Sequence, residues 1–131
     1  MKRVRLFGLF RELEGESPEE PSIRDSVSAS PTEFDGRIVE YLRRGTLFVA
    51  CPAVATDVLS DAEEPIGSPH LVTDGVWAWR ADLAFYVDRY HLRLPLAFVA
   101  HMEANNWAPP PRVDVSALEL GPPDSARGDE E

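Results

Sequence analysis

Three histidines, His70, His91 and His101, a single cysteine, Cys51, and 23 acidic side chains are the groups in this sequence that could move a proton, hold a metal or attack a substrate. Their spacing matches none of the familiar arrangements. A zinc-binding helix places two histidines four residues apart on one face, and no two of the three are so spaced. Asp74, Asp82 and Asp88 can complete a site only if folding carries them to a histidine. Two of them have a structural task to hand: Asp74 sits in a turn sequence, and Asp82 falls in the first turn of an expected helix, where the dipole stabilises an anion by about 0.3–1 kcal/mol. Cys51 follows the apolar run Leu47-Phe48-Val49-Ala50, which marks it as a small core residue rather than a thiolate nucleophile. No glycine-rich phosphate loop or nucleophile elbow occurs. The sequence therefore assigns no catalytic residue, no metal and no cofactor.

Recognition is the other chemistry within reach. Trp77, Trp79, Tyr86, Tyr90 and Trp107 are of the types that dominate binding hot spots. A domain of this length also needs bulky side chains for its core, and core is the better use of most of them. Polar residues interleave with the aromatics between 70 and 90. The candidate binding set is accordingly Asp74, Trp77, Arg80, Asp82, Asp88 and Arg89, with the charged members forming a polar edge over an aromatic support.

To present such a set, the chain needs a scaffold, and 131 residues with 44% hydrophobic content suffice for one domain. The apolar segment Val4 to Phe10, interrupted by Gly8, reads as extended. Arg11 to Pro21, with five glutamates, reads as a charged linker that cannot order itself. Ser30-Pro31-Thr32-Glu33 is a helix start, with a serine cap and proline in the first helical position. Phe34, Ile38, Tyr41 and Leu42 then make one apolar stripe, and Gly45 offers a left-handed stop. Thr46 to Cys51 reads as a buried strand ended by Pro52. Ala53 to Leu59 is compatible with a helical turn or a strand, and Asp61 to Pro69 reads as a loop. Leu71-Val72 and Val76 to Trp79, joined through Asp74-Gly75, make a hairpin. A helix follows with Leu83, Val87 and Tyr90 on one stripe, then a break at Leu94-Pro95 and a last helix carrying Phe98, Val99 and Met102. The fold class is a single α+β domain: helices at about 31–44, 81–91 and 95–105 on a small, mostly antiparallel sheet from 46–51, 70–73 and 76–79, which the N-terminal segment can join. The segments are 1–21, N-terminal segment and acidic linker; 22–108, the α+β domain; and 109–131, a Pro-rich acidic tail, of which Gly121 to Glu131 is expected to be mobile unless Val113, Val115, Leu118 and Leu120 tie it down.

Charge narrows the partners. The net charge is −10, with +4 on residues 1–11, −5 on 12–20, −5 on 21–111 and −4 on 112–131. Such a chain repels phosphate backbones, which argues against nucleic acid and favours a basic protein partner. There is no apolar run of 18 residues, so no membrane-spanning helix is expected. The first ten residues are too short an apolar stretch, and too soon followed by Glu12 and Glu14, for a secretory leader, and one cysteine cannot form an internal disulfide. The expected compartment is the cytoplasm.

Tyr41-Leu-Arg-Arg-Gly45, Thr73-Asp-Gly-Val-Trp-Ala-Trp79, Asp82-Leu-Ala-Phe-Tyr-Val87, Tyr90, Leu94-Pro95, Phe98, His101-Met102 and Trp107 together resemble a family of small, acidic, uncharacterised proteins from Streptomyces-like actinobacteria, over residues 21–110. Some members look like the immunity proteins encoded beside polymorphic toxins. The resemblance carries no catalytic residue. It implies a non-enzymatic, acidic protein-binding protein, of the kind that covers a basic site on a toxin. Two other expectations stand beside it: a small hydrolase or transferase using His70, His91 or His101 with a carboxylate, and a regulatory domain binding a small molecule between hairpin and helix.

Overall fold

A computed structural model describes residues 2–8, 10–13 and 21–123, the side chains of 121–123 excepted. Leu9, most of the acidic linker (14–20) and the end of the tail (124–131) lie outside the described residues, and with them the expectations that the linker is unordered and the tail mobile.

The order along the chain is β1 (Lys2–Phe7), α1 (Asp35–Arg43), β2 (Thr46–Val49), β3 (Ala55–Thr56), β4 (Pro65–Gly67), β5 (Leu71–Thr73), β6 (Trp77–Arg80), α2 (Leu83–Tyr90), α3 (Leu96–Ala104) and β7 (Leu118–Pro123). Five strands make one sheet in the order β2-β5-β6-β1-β7, and β3 and β4 pair separately. The class is α+β, as composition and periodicity predict. The sheet, however, is mixed rather than mostly antiparallel. β2, β5 and β6 are antiparallel neighbours, whereas β1 runs parallel to both β6 and β7. Hairpin turns are legible locally, but the pairing of β1 with β6 spans some seventy residues and leaves no local mark.

Strands from beyond both ends of the 22–108 unit therefore belong to the same sheet. β1 is its fourth strand, and the tail supplies β7, which pairs Lys2 with Leu118 and Val4 with Leu120. The stretch expected as a loop holds β4, which settles Ala53 to Leu59 partly as strand, since Ala55 pairs with Gly67.

Strand alternation divides the core. Phe7, Trp77 and Trp79 are buried against the helices with Tyr41, Leu42, Leu83, Tyr86, Val87, Phe98 and Met102, while Val4, Leu6 and Ala78 build a smaller cluster with Phe48, Leu71 and Leu118 on the other face. Phe98 of α3 is the pivot of the aromatic core. Its ring stacks on Trp77 at 4.4 Å, tilts against Trp79 at 5.5 Å and meets Phe7 at 6.2 Å. Each such pair contributes about 0.5–1.5 kcal/mol beyond area burial.

Helix ends depart from sequence expectation in two places. α1 begins at Asp35, and its entry is organised by Thr32, whose hydroxyl accepts from the Phe34 N–H at 3.2 Å and donates to the Asp35 carboxylate at 2.6 Å, rather than by Ser30. Gly45 is not in the left-handed region. Its glycine is demanded by space: a Cβ there would lie 2.8 Å from Cζ2 of Trp79 and 3.0 Å from Cγ2 of Val72. The left-handed stop is used instead after α2, where His91 has φ 57° and ψ 44°.

Candidate functional site

The hairpin turn is built on Asp74. Gly75 takes the positive φ of 96°, and one carboxylate oxygen, Oδ1, accepts from the N–H groups of Val76 at 2.9 Å and Trp77 at 2.8 Å. Oδ2 points the other way, between α1 and α3. There it accepts from the Tyr41 hydroxyl at 2.5 Å and lies 3.0 Å from Nε2 of His101. Asn105 donates to the Tyr41 oxygen at 2.9 Å, completing a cluster that binds hairpin, α1 and α3 together. Burial, and the bond to Asp74, raise the Tyr41 phenol well above its ordinary pKa.

Asn105 closes α3, and the next two residues form the surface part of the same site. Asn106 and Trp107 both have left-handed backbone, φ 56° and 61°. A bulky residue pays about 1–2 kcal/mol for that conformation. The turn is held because Asn106 N–H reaches the Glu103 carbonyl at 2.9 Å and Trp107 N–H reaches that of Met102 at 2.8 Å. The indole then lies on Phe34, ring centroids 5.2 Å apart and planes 19° from parallel, with the Arg37 guanidinium 5.7 Å from its ring. Phe34 remains 37% exposed. Arg37, Asn106 and Trp107, together with Glu33, Glu40 and Arg44, line an open groove of about 490 Å³ along α1, and Gly36 adds no side chain to fill it.

Comparison with protein-family models, with curated proteins and with solved structures returned no match. The site is therefore read from its own chemistry.

The six residues of the predicted binding set are not gathered on one edge. Asp74, Trp77, Arg80 and Asp82 are buried, and only Asp88 and Arg89 are exposed. Each buried member has an internal task. Asp74 holds the cluster just described, and Trp77 lies between Phe98 and the Arg5 guanidinium, 4.2 Å from its ring. Arg80 makes a two-pronged bond to Asp82, Nε to Oδ1 at 3.0 Å and Nη2 to Oδ2 at 2.8 Å, and donates from Nη1 to the Leu13 carbonyl at 2.9 Å. Asp82 precedes α2 but caps none of its N–H groups with its side chain, being spent on Arg80. The part of the expected polar edge at Arg80 and Asp82 is thus turned inward, because the two neutralise one another and can be buried as a pair.

The histidines likewise separate. His70 accepts the Cys51 N–H at Nδ1, 2.8 Å away; His91 faces Asp35 at 3.2 Å; His101 faces Asp74. Among the described residues no three side chains of the His, Cys, Asp and Glu types come together to hold a metal. No described helix is long and apolar enough to cross a membrane. Trp107 is legible as a candidate aromatic, but Phe34 reads as core stripe and Arg37 carries no signal of its own. Their common helix face, three residues apart and opposite Asn105-Asn106-Trp107, is the one clue the sequence offers to the groove.

Proposed function

We propose that this is a binding protein without catalytic activity and that its partner docks on the groove beside Trp107. One observation carries this reading: a half-buried indole is held at the edge of an open groove in a strained left-handed turn, stacked on a partly exposed phenylalanine and flanked by arginine. Aromatic and arginine side chains held rigid in this way contribute most of the energy at protein interfaces. The groove itself is balanced, with Glu33 and Glu40 against Arg37 and Arg44, so contact there is by ring and shape. The overall charge of −10 supplies long-range attraction for a basic partner. An immunity-type inhibitor that covers a basic site on a toxin is the specific form of this reading, supported by charge and by the sequence resemblance.

The test is affinity capture with the wild type and with Trp107→Ala, followed by titration of any basic protein retained. Loss of the indole is expected to weaken binding at least about 30-fold, equivalent to 2 kcal/mol. Raising salt is expected to slow association. A partner that binds Trp107→Ala as tightly as wild type removes the groove from the proposal, and failure to retain any basic protein removes the proposal itself.

The contact between His101 and Asp74 favours a second reading. A buried carboxylate at Nε2 leaves Nδ1 of His101 without a protein hydrogen bond among the described residues, the arrangement of a general base. A small hydrolase or transferase would use it so. Turnover of p-nitrophenyl acetate or p-nitrophenyl phosphate that disappears in His101→Gln supports that reading, and turnover that survives the substitution ends it.

A further inference from the structure

The strands β1, β2 and β6 all point the same way and stop at the same edge of the sheet, leaving Leu6, Val49 and Arg80 at their carboxyl ends. In sheets with parallel strands this is the edge at which crevices form, because chains leave it in different directions. A cavity of about 630 Å³ opens here, and Ala55 and Thr56 of β3 close one wall of it. Its volume falls within the range of about 300–1,000 Å³ typical of small-molecule sites. Leu6, Leu13, Val58 and Leu71 supply apolar lining, as do Val49 and Val54, which are 43% and 72% exposed. The Cys51 thiol lies in the wall.

Among the described residues only two charged side chains line the cavity, Glu12 and Arg80. Both are committed to the protein. The Glu12 carboxylate accepts from the Ser22 hydroxyl and from the Ile23 N–H at 2.8 Å, and Arg80 is held by Asp82 and Leu13. Their charges are opposite, and neither is left to neutralise a charge brought in from outside. A charged ligand would lose its hydration without a counter-charge, whereas a neutral one loses only the cost of its polar end.

We propose that this cavity is a binding site for a small, uncharged, mainly apolar molecule with one hydrogen-bonding end, seated on Leu6 and Leu71 with that end towards Glu12 and Arg80. The site is separate from the Trp107 groove, and its occupancy does not depend on a protein partner.

Cys51 is the sole cysteine of the chain, so alkylation reports on this wall alone. The experiment compares 1-octanol with octanoate and octylammonium, which share its chain but carry a charge. Iodoacetamide labelling of Cys51 is followed by intact mass, and the amide resonances of Leu6, Ala55 and Leu71 are followed by NMR, which needs no thiol reactivity. Saturable slowing of labelling and saturable amide shifts are expected with 1-octanol, with affinity at least ten-fold above either charged analogue. Filling the space with Val49→Trp, or with Ala55→Phe where that variant keeps its dispersed spectrum, is expected to abolish both effects. No saturable shift with 1-octanol overturns the proposal, as does equal binding of the charged analogues or undiminished binding to Val49→Trp.

Discussion

At Gly45 the backbone passes so close to the indole of Trp79 that a single methyl group has no room. Gly45→Ala places a Cβ 2.8 Å from that buried ring and 3.0 Å from the half-buried Val72 packed against the core. A loss of about 1–3 kcal/mol in urea denaturation is expected. Gly36→Ala is the control, since nothing lies within 4 Å of its Cβ position in α1, and it is expected to gain about 0.5–1 kcal/mol. The three tyrosines make a second residue-scale case. Burial pushes the Tyr86 phenol up to about 12, and burial with the Asp74 bond raises Tyr41 in the same direction. Donation to Asp57, together with some burial, raises Tyr90 as well. A phenol of the unfolded chain ionises near 10. Below that pH both states are neutral and the stabilisation is complete; between about 10 and 12 only the unfolded state gains from ionising, so stability falls as pH rises. Tyr86 alone removes about 2–3 kcal/mol over that window. Absorbance of phenolate at 295 nm should rise together with the loss of far-ultraviolet ellipticity, and a full reversible step near pH 10 with the fold intact would contradict the burial of Tyr41 and Tyr86.

At the scale of elements, Asp74 joins three that are far apart in sequence. Asp74→Asn keeps an acceptor for the turn but cannot accept from both Tyr41 and His101, and a loss of about 2–3 kcal/mol is expected. Tyr41→Phe removes one of the same bonds, so the double variant should lose less than the sum, with a coupling on the order of 1 kcal/mol in a double-mutant cycle. What the sequence could and could not disclose divides at this same residue. Thr73-Asp74-Gly75 announces the turn through local chemistry, and Leu83, Val87, Phe98 and Met102 announce their helix faces through period. The second carboxylate oxygen of Asp74 meets partners 33 and 27 residues away, and no local rule places them. Arg80 misled for a related reason. Just past the predicted strand it reads as part of a polar edge, yet it is the last residue of β6, and Asp82 two residues later cancels its charge and lets both go inside. Trp107 was visible as an aromatic, but its stacking on Phe34 depends on two successive left-handed residues, a conformation that Asn106 suggests and Trp107 itself does not.

For the whole molecule, the parallel pairing of β1 with β7 means that the first and last described strands stabilise one another. Val4 and Leu6 are buried in the smaller cluster, to which Leu118 contributes, and Arg3 meets Glu119 at 2.9 Å. That exposed ion pair adds little, so burial and ladder bonds carry the junction. Ending the chain after Asp114 deletes β7 and strips one side of β1. The expected loss is about 2–4 kcal/mol from apolar area and unmade hydrogen bonds, a fall in Tm on the order of 10 °C at this size. The bared edge of β1 has a second consequence, because an unpaired strand offers its N–H and C=O groups to another chain. The truncated protein should therefore self-associate more than the full chain in sedimentation velocity. Leu118→Asp separates the two effects. It keeps the backbone of β7 as a cover while disfavouring burial of its side chain, so it should lower Tm without promoting association. Equal stability of the truncated and full chains would mean that the sheet ends at β1, and the tail would then return to being an appendage.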